Sequence, residues 1–140
     1  NANPMTCAAG VAGLQIVKTG EPQKAANDMA AYLRKIGNQA LKEKGIDCRL
    51  YGRSITHVYL GPIETEPEEE ALPPTTFVSD IVGMLPAKER LAIHLLQRRV
   101  ATLSGRLFIV SAAHTREDMD NTVTALVDSL LAMQAEGTLG

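Results

Sequence analysis

The segment LFIVSAAHTREDMDNTV, residues 107–123, predicts a short buried strand running directly into a helix, and the other elements can be placed around it. Residues 107–110 are a continuous apolar run of strand length with two β-branched members, Ile109 and Val110. Thr115 is a favourable N-cap, and Asp118, three residues later, gives the pair the spacing of a capping box. Residues 111–114 are therefore predicted to form the corner between strand and helix.

The helix predicted after this corner has one apolar stripe and ends before Gly137. The stripe repeats at helical spacing and consists of Met119, Thr122, Val123, Leu126, Val127, Leu130 and Leu131. Glycine at position 137 suits the residue after a helix C-cap, because that residue commonly takes the left-handed conformation. We therefore expect one face of this helix to be buried.

Two further helices are predicted in the first third of the chain. Asn3 and Pro4 suit the N-cap and first position of one helix, and its run of small residues from Ala8 to Gly13 indicates either close approach by another body or an Ala-rich buried helix. Pro22 begins a longer helix that reaches about Lys44. Its predicted buried stripe is Met29, Leu33, Ile36 and Ala40, and Gly45 is its predicted C-cap glycine.

Residues 49–60 are predicted to be extended, with two faces that alternate along the chain. Gly52 indicates a bulge or a close backbone approach. Arg53 and His57 share one face and are candidates for substrate binding at a ligand site. The alternative is that both belong to an exposed sheet face.

An acidic, proline-containing segment interrupts the pattern between residues 61 and 76. Five glutamates occur between positions 64 and 70, and Pro73 and Pro74 follow. Like charges and prolines disfavour packing, so we expect a mobile loop here, with a cation site as the less favoured alternative.

The chain continues with a helix and a hairpin. Pro86 can open the helix, whose buried edge is predicted to be Leu91, Leu95 and Leu96. Residues 100–110 are predicted to form a hairpin that turns at Ser104-Gly105. His114 follows at the corner, where it either binds substrate or closes the turn through a hydrogen bond.

These elements predict a small α+β domain. Strands from residues 49–60 and 100–110 would form an antiparallel or mixed sheet with helices on one face and the other face free.

Composition and charge limit the number of domains and the classes of partner that the chain can have. The chain has 140 residues, 45% of them apolar and 21% charged, as expected for one globular domain. No apolar run approaches the roughly 20 residues that span a bilayer, and no signal peptide is recognisable, so we expect no membrane partner.

Cys7 and Cys48 are far apart, which favours reduced thiols in the cytoplasm, and no metal-ligand spacing occurs. The net charge of −2 has no basic cluster with aromatics, so we expect no nucleic-acid partner.

Two segments carry a family resemblance. SAAHTREDMD, residues 111–120, resembles the closing motif of class III aminotransferases and is most similar to the glutamate-1-semialdehyde 2,1-aminomutase branch. NPMTCAAGVAGL, residues 3–14, resembles the segment that follows the Gly-Thr phosphate-binding pair in that family. The two segments occur in the family's order and enclose nearly the whole chain, with a poor match between them.

The resemblance implies a C-terminal portion of a fold-type I enzyme that uses pyridoxal phosphate for amino transfer or amino migration on a small amino acid or aldehyde. In the family, the Schiff-base lysine and the phosphate site precede the segment matching residues 3–14. We therefore assign no catalytic, cofactor-binding or metal-binding residue, and we expect a fragment that is inactive alone. Residues 1–21 would be a linking helix from a missing PLP-binding domain, residues 22–140 the small domain, and the assembly a homodimer.

One residue departs from the family pattern. The family has Leu-Leu-x-Arg-Gly-Val where residues 95–100 are LLQRRV, so Arg99 replaces the glycine. If that glycine supplies a positive φ at a helix end, either Arg99 adopts the strained conformation or the turn has changed.

The alternative function is a free-standing α/β module that binds a ligand or partner. It would use the sheet face with Arg53 and His57, or the small-residue helix.

Overall fold

The computed structural model describes residues 3–68, 70–74 and 83–139. The helices are α1 (Pro4–Val17), α2 (Glu21–Glu43), α3 (Leu85–Gln97) and α4 (Arg116–Ala135), and the strands are β1 (Cys48–Gly52), β2 (Ile55–Leu60) and β3 (Leu107–Ile109). The predicted α+β class is confirmed. Residues 75 and 76 of the predicted loop, and Glu69 within it, lie outside the described residues.

The strands form one antiparallel sheet in the order β1-β2-β3. Residues 49–60 are therefore two strands, and the prediction of one extended segment was wrong. The chain reverses after Gly52, whose φ is +90°, and a β-carbon there would lie 2.7 Å from the carbonyl oxygen of Ile55. This confirms the predicted close backbone approach at Gly52. The inward and outward alternation of side chains is the same on both sides of the tight turn, which is why the sequence pattern did not reveal the reversal.

The core lies between one face of the sheet and the helices α2, α3 and α4. Its fully buried or nearly buried members include Leu33, Leu41, Leu50, Val58, Leu91, Leu95, Phe108, Leu126 and Leu130. Helices therefore cover one face, as predicted.

The buried stripe of α2 differs from the predicted one. Its members are Ala26, Ala30, Leu33, Arg34, Gly37 and Leu41, while Met29, Ile36 and Ala40 are only partly buried. The small residues allow a close approach, since a β-carbon at Gly37 would lie 2.8 Å from Cδ1 of Leu50. The missing side chain of Gly37 thus leaves room for Leu50 of β1, and Leu33 and Leu41 on the same buried stripe are fully buried.

The opposite face of the sheet is free only in part: Ile55 and Ile109 are 51% and 62% exposed, whereas the β1 side is covered, contrary to the prediction. Residues of the 61–74 segment lie against β1 and β2, and Arg49 and Tyr51 on this face are only 5% and 4% exposed. Glu66 accepts hydrogen bonds from Nε and Nη2 of Arg49, both at 2.8 Å. The Gly52 N–H donates to the Ala71 carbonyl at 2.9 Å. A charge pair and a backbone bond thus attach the segment, and its predicted mobility stays a prediction.

Helix α3 buries Leu91 and Leu95 as predicted, but Leu96 is 67% exposed. Position 96 lies about 100° around the helix from Leu95, which turns it away from the core. On α4, Leu131 is likewise partly exposed while the rest of the predicted stripe is buried.

Helices α2, α3 and α4 end in the same way. In each, the second residue after the C-cap donates to the carbonyl of C3, from Ile46 to Leu41, Val100 to Leu95 and Thr138 to Met133. This is the Schellman pattern, which requires a positive φ at the intervening residue. Gly45 and Gly137 supply it with φ of +64° and +69°, and Arg99 supplies it with φ of +64°. Arg99 therefore keeps the conformation expected of a glycine.

The predicted hairpin at residues 100–110 is confirmed at its turn. Ser104 and Gly105 have φ of +54° and +64°, and Arg106 N–H donates to the Leu103 carbonyl at 3.0 Å. The residues before the turn do not form a strand and contribute one bridge, between Leu103 and Leu107. The strand after the turn, β3, takes β2 as its partner.

Candidate functional site

The corner between β3 and α4 holds the candidate site. The Thr115 hydroxyl accepts from the Asp118 N–H at 3.2 Å, and the Asp118 carboxylate accepts from the Thr115 N–H at 2.7 Å. The predicted capping box is therefore present. It fixes the start of α4 and the direction in which the chain leaves the corner.

His114 closes this corner. The Ser111 N–H donates to His114 Nδ1 at 3.0 Å, and the Ser111 Oγ lies 3.0 Å from the same nitrogen. Because Nδ1 accepts from a backbone N–H, a neutral ring carries its proton on Nε2. This is the turn-closing role that was one of the two sequence alternatives.

A cleft of about 710 Å³ opens beside His114, between the end of α3, β3 and α4. Apolar side chains line part of it, among them Phe108, Val110 and Met119, and the polar lining includes Arg98, Asp118 and Asp128. A cleft with apolar walls and a few charged groups is a usual form of binding site. We take it as the candidate functional site because it adjoins the corner that organises the chain.

The charges around the cleft suit binding better than proton transfer. The pKa of Asp118 lies below its ordinary value, first because the Thr115 backbone N–H stabilises the carboxylate. Asp118 is therefore an anion at neutral pH and is unsuited to act as a general acid. The Arg98 guanidinium, which donates to the His94 carbonyl at 3.1 Å, supplies fixed positive charge nearby.

The three sequence-predicted residues lie at three separate places. Arg53 lies in the β1–β2 turn with its side chain 64% exposed and paired with Glu70. His57 lies on the outer face of β2, in a different pocket of about 240 Å³. The structure therefore does not bring Arg53, His57 and His114 together into one ligand site.

Sequence reasoning missed Lys88 and Arg106, which line the pocket with His57. Lys88 is only 7% exposed, although a lysine in a charged stretch of a helix usually faces water. A signal was available, since Lys88, Leu91 and Leu95 share the helical spacing i, i+3 and i+7.

The described residues do not fit pyridoxal phosphate. Among the residues that the structure describes, Lys88 is the one buried lysine, and the lining of its pocket holds Arg106 and His57 but no described carboxylate to pair with a pyridine nitrogen. The described part of the chain also contains no cluster of three or more His, Cys, Asp or Glu able to hold a metal ion.

No protein-family model matches the chain, and no curated protein matches it either. Across the ranges that the structure describes, no helix has the length and apolar character needed to cross a membrane.

Proposed function

We propose that this chain is the C-terminal small domain of a class III, fold-type I pyridoxal-phosphate enzyme. The enzyme would be an aminotransferase or aminomutase acting on a small amino acid or aldehyde, working in the cytoplasm as a homodimer. Pyridoxal phosphate would supply the electron sink for this chemistry. The small domain would be inactive alone, because in the family the Schiff-base lysine and the phosphate site precede the segment that residues 3–14 resemble.

The observation that carries the proposal is the exposure of α1. None of its residues is buried, and Met5, Val11, Leu14 and Ile16 are 81%, 57%, 69% and 62% exposed. Gly10 and Gly13 have open space where a β-carbon would be. An apolar helix with glycines and no covering neighbour is typical of an interface. The resemblance of residues 3–14 to the family's linking segment supports a PLP-binding domain as the body that covers it.

The second support is the placement of the other resembling segment. Residues 111–120 occupy the end of the strand region, the His114 corner and the first turn of α4. They line the 710 Å³ cleft through His114 and Asp118. A motif at a strand–helix corner beside a cleft can position a substrate or another domain, whereas a motif in the core would act through packing alone.

An activity comparison tests the proposal. We expect the 140-residue chain to show no amino transfer with pyridoxal phosphate present, and a longer protein translated from the same reading frame to show it. Turnover by the 140-residue chain itself would contradict the proposal.

Substitutions in α1 test the docking separately. Leu14→Gln should leave the thermal stability of the 140-residue chain unchanged, because the side chain is already in water, and should lower the stability of the longer protein. Lys18→Gln, exposed just beyond the same helix, is the matched control and should change neither. Equal behaviour of both variants in the longer protein would remove α1 as the docking surface.

A second candidate, a free-standing ligand-binding module, is favoured by the pocket at His57. The described lining of that pocket includes no residue of α1, the helix proposed to dock on a further domain. A clean monomer in light scattering, with ligand binding by the 140-residue chain, would favour this candidate.

A further inference from the structure

The lining of the pocket beside His57 includes two basic side chains, Lys88 and Arg106. Its wall consists of His57, Val58, Tyr59, Pro73, Met84, Lys88, Arg106 and Leu107. Within the part of the chain that the structure describes, this lining contains no aspartate or glutamate. The described part of the lining therefore contributes positive charge that no described carboxylate in the same lining neutralises.

Lys88 is held out of water in this pocket. The residue is 7% exposed, and its pKa lies below the ordinary value, first because of burial and then because of the nearby positive charge of Arg106. Buried lysines are normally paired with an acidic group, since desolvating an ammonium is costly. Among the described residues, Lys88 forms no ion pair.

Arg106 adds an unmet hydrogen-bond donor. Its Nε is buried and has no hydrogen-bond partner among the described residues. Its backbone is fixed on both sides, because its carbonyl accepts from the Val58 N–H at 2.8 Å and its N–H donates to the Leu103 carbonyl at 3.0 Å. A guanidinium on a fixed backbone with a buried, unmet N–H is well suited to receive an oxyanion.

The rim of the pocket adds to the same positive charge. Met84, the residue that precedes α3, lines the pocket, so the positive end of that helix lies at its edge. The first turn of α3 contains no acidic residue and no side-chain cap. His57, also in the lining, has a pKa below its ordinary value because of burial and the charge of Lys88. Its ring is therefore neutral at neutral pH and adds no further positive charge to the pocket.

We propose that this pocket binds a small oxyanion, a carboxylate or phosphate group, through the Lys88 ammonium and the Arg106 guanidinium, with His57 at its wall. The volume of about 240 Å³ limits the ligand to a small molecule or to the anionic end of a larger one. The site is complete without α1 and the His114 cleft, so the inference does not rest on the proposed function.

Nuclear magnetic resonance of the histidine rings tests the site directly. The chain has three histidines, and His94 and His114 lie outside this pocket and serve as internal references. The protein is titrated with inorganic phosphate, with succinate and with chloride at equal ionic strength and pH. We expect saturable shifts of the His57 ring signals with phosphate, succinate or both, and none with chloride. The oxyanion that saturates at the lower concentration identifies the phosphate or carboxylate preference.

Three variants define the contacts. Lys88→Met and Arg106→Met should each weaken oxyanion binding by roughly ten-fold or more, as expected for loss of a charge-assisted hydrogen bond. Lys88→Met removes a buried charge and keeps the length of the side chain, so it should fold, and Arg106→Met provides an independent second test. Arg53→Met removes the same charge as Arg106→Met from an exposed position and should leave binding unchanged.

Two results would overturn the proposal. One is a His57 response that is equal in phosphate, succinate and chloride. The other is unchanged oxyanion binding in both the Lys88 and Arg106 variants.

Discussion

Thr115 and Asp118 cap each other at the start of α4. The Thr115 Oγ1 accepts from the Asp118 N–H at 3.2 Å, and the Asp118 Oδ2 accepts from the Thr115 N–H at 2.7 Å. Each side chain satisfies a backbone donor that the helix cannot satisfy internally. The pair therefore sets the boundary between the corner that contains His114 and the helix that closes the core.

The capping hydroxyl should contribute measurably to stability. We expect Thr115→Ala to lower the free energy of unfolding by about 1 kcal/mol, because the Asp118 N–H loses its acceptor. Urea denaturation followed by circular dichroism measures the change. Thr124→Ala is the control, since Thr124 lies exposed within α4 and alanine is favourable there. Equal losses in both variants would contradict a specific capping role.

The capping carboxylate should make stability depend on acid. The folded pKa of Asp118 lies below the ordinary value of 3.8, chiefly because of the Thr115 N–H. Its contribution is therefore fully present above pH 3.8 and is lost as the pH falls through the lower folded pKa. The stability difference between the native chain and Asp118→Asn should shrink across that range in pH-dependent urea titrations. A difference that stays constant with pH would contradict this assignment.

Arg99 should be a site where glycine is better. Its φ of +64° is costly for a residue with a β-carbon, so Arg99→Gly should stabilise the chain by about 1 kcal/mol. The neighbouring Arg98 has a φ of −96°, and Arg98→Gly should give no such gain. Thermal unfolding of the two variants measures both changes in stability. A loss of stability in Arg99→Gly would show that the arginine side chain makes a contact worth more than the strain.

Gly105 should tolerate no side chain. A β-carbon at Gly105 would overlap the carbonyl oxygen of Lys88, where the hairpin turn packs on α3. Gly45 has the same φ of +64° but open space around it. Gly45→Ala should therefore show only the conformational cost, about 1 kcal/mol, and Gly105→Ala should cost clearly more. Similar losses in chemical denaturation would mean that the turn can move away from α3.

Glu66 should hold the acidic segment on the sheet. It accepts two hydrogen bonds from the buried Arg49, and its pKa is lowered first by that contact. Because the Glu66 side chain is 43% exposed, we expect Glu66→Gln to cost only about 1 kcal/mol. Glu64→Gln nearby is the control and should be neutral. Amide hydrogen exchange at Gly52, which donates to Ala71, should accelerate only in the Glu66 variant.

The sequence predicted elements whose signals are local. The Thr115–Asp118 box, the Ser104-Gly105 turn and the glycines after α2 and α4 follow from short-range spacing, and all are confirmed. Arg49 and Glu66 could not be paired in advance, because their contact depends on how the 61–74 segment folds back. The burial of Lys88 could have been predicted from its spacing with Leu91 and Leu95, but its pocket with Arg106 depends on how the hairpin turn packs on α3.

Sequencing the coding DNA immediately upstream of Asn1 is the sharpest test of the proposal that this chain is part of a pyridoxal-phosphate enzyme. We predict that the reading frame continues into a Gly-Thr pair and, further upstream, a lysine in a strand–loop setting, as the resemblance to class III aminotransferases requires. A start codon with a ribosome-binding site just ahead of Asn1 would contradict the claim. The chain would then work alone, and the oxyanion pocket would be the place to begin the search for its ligand.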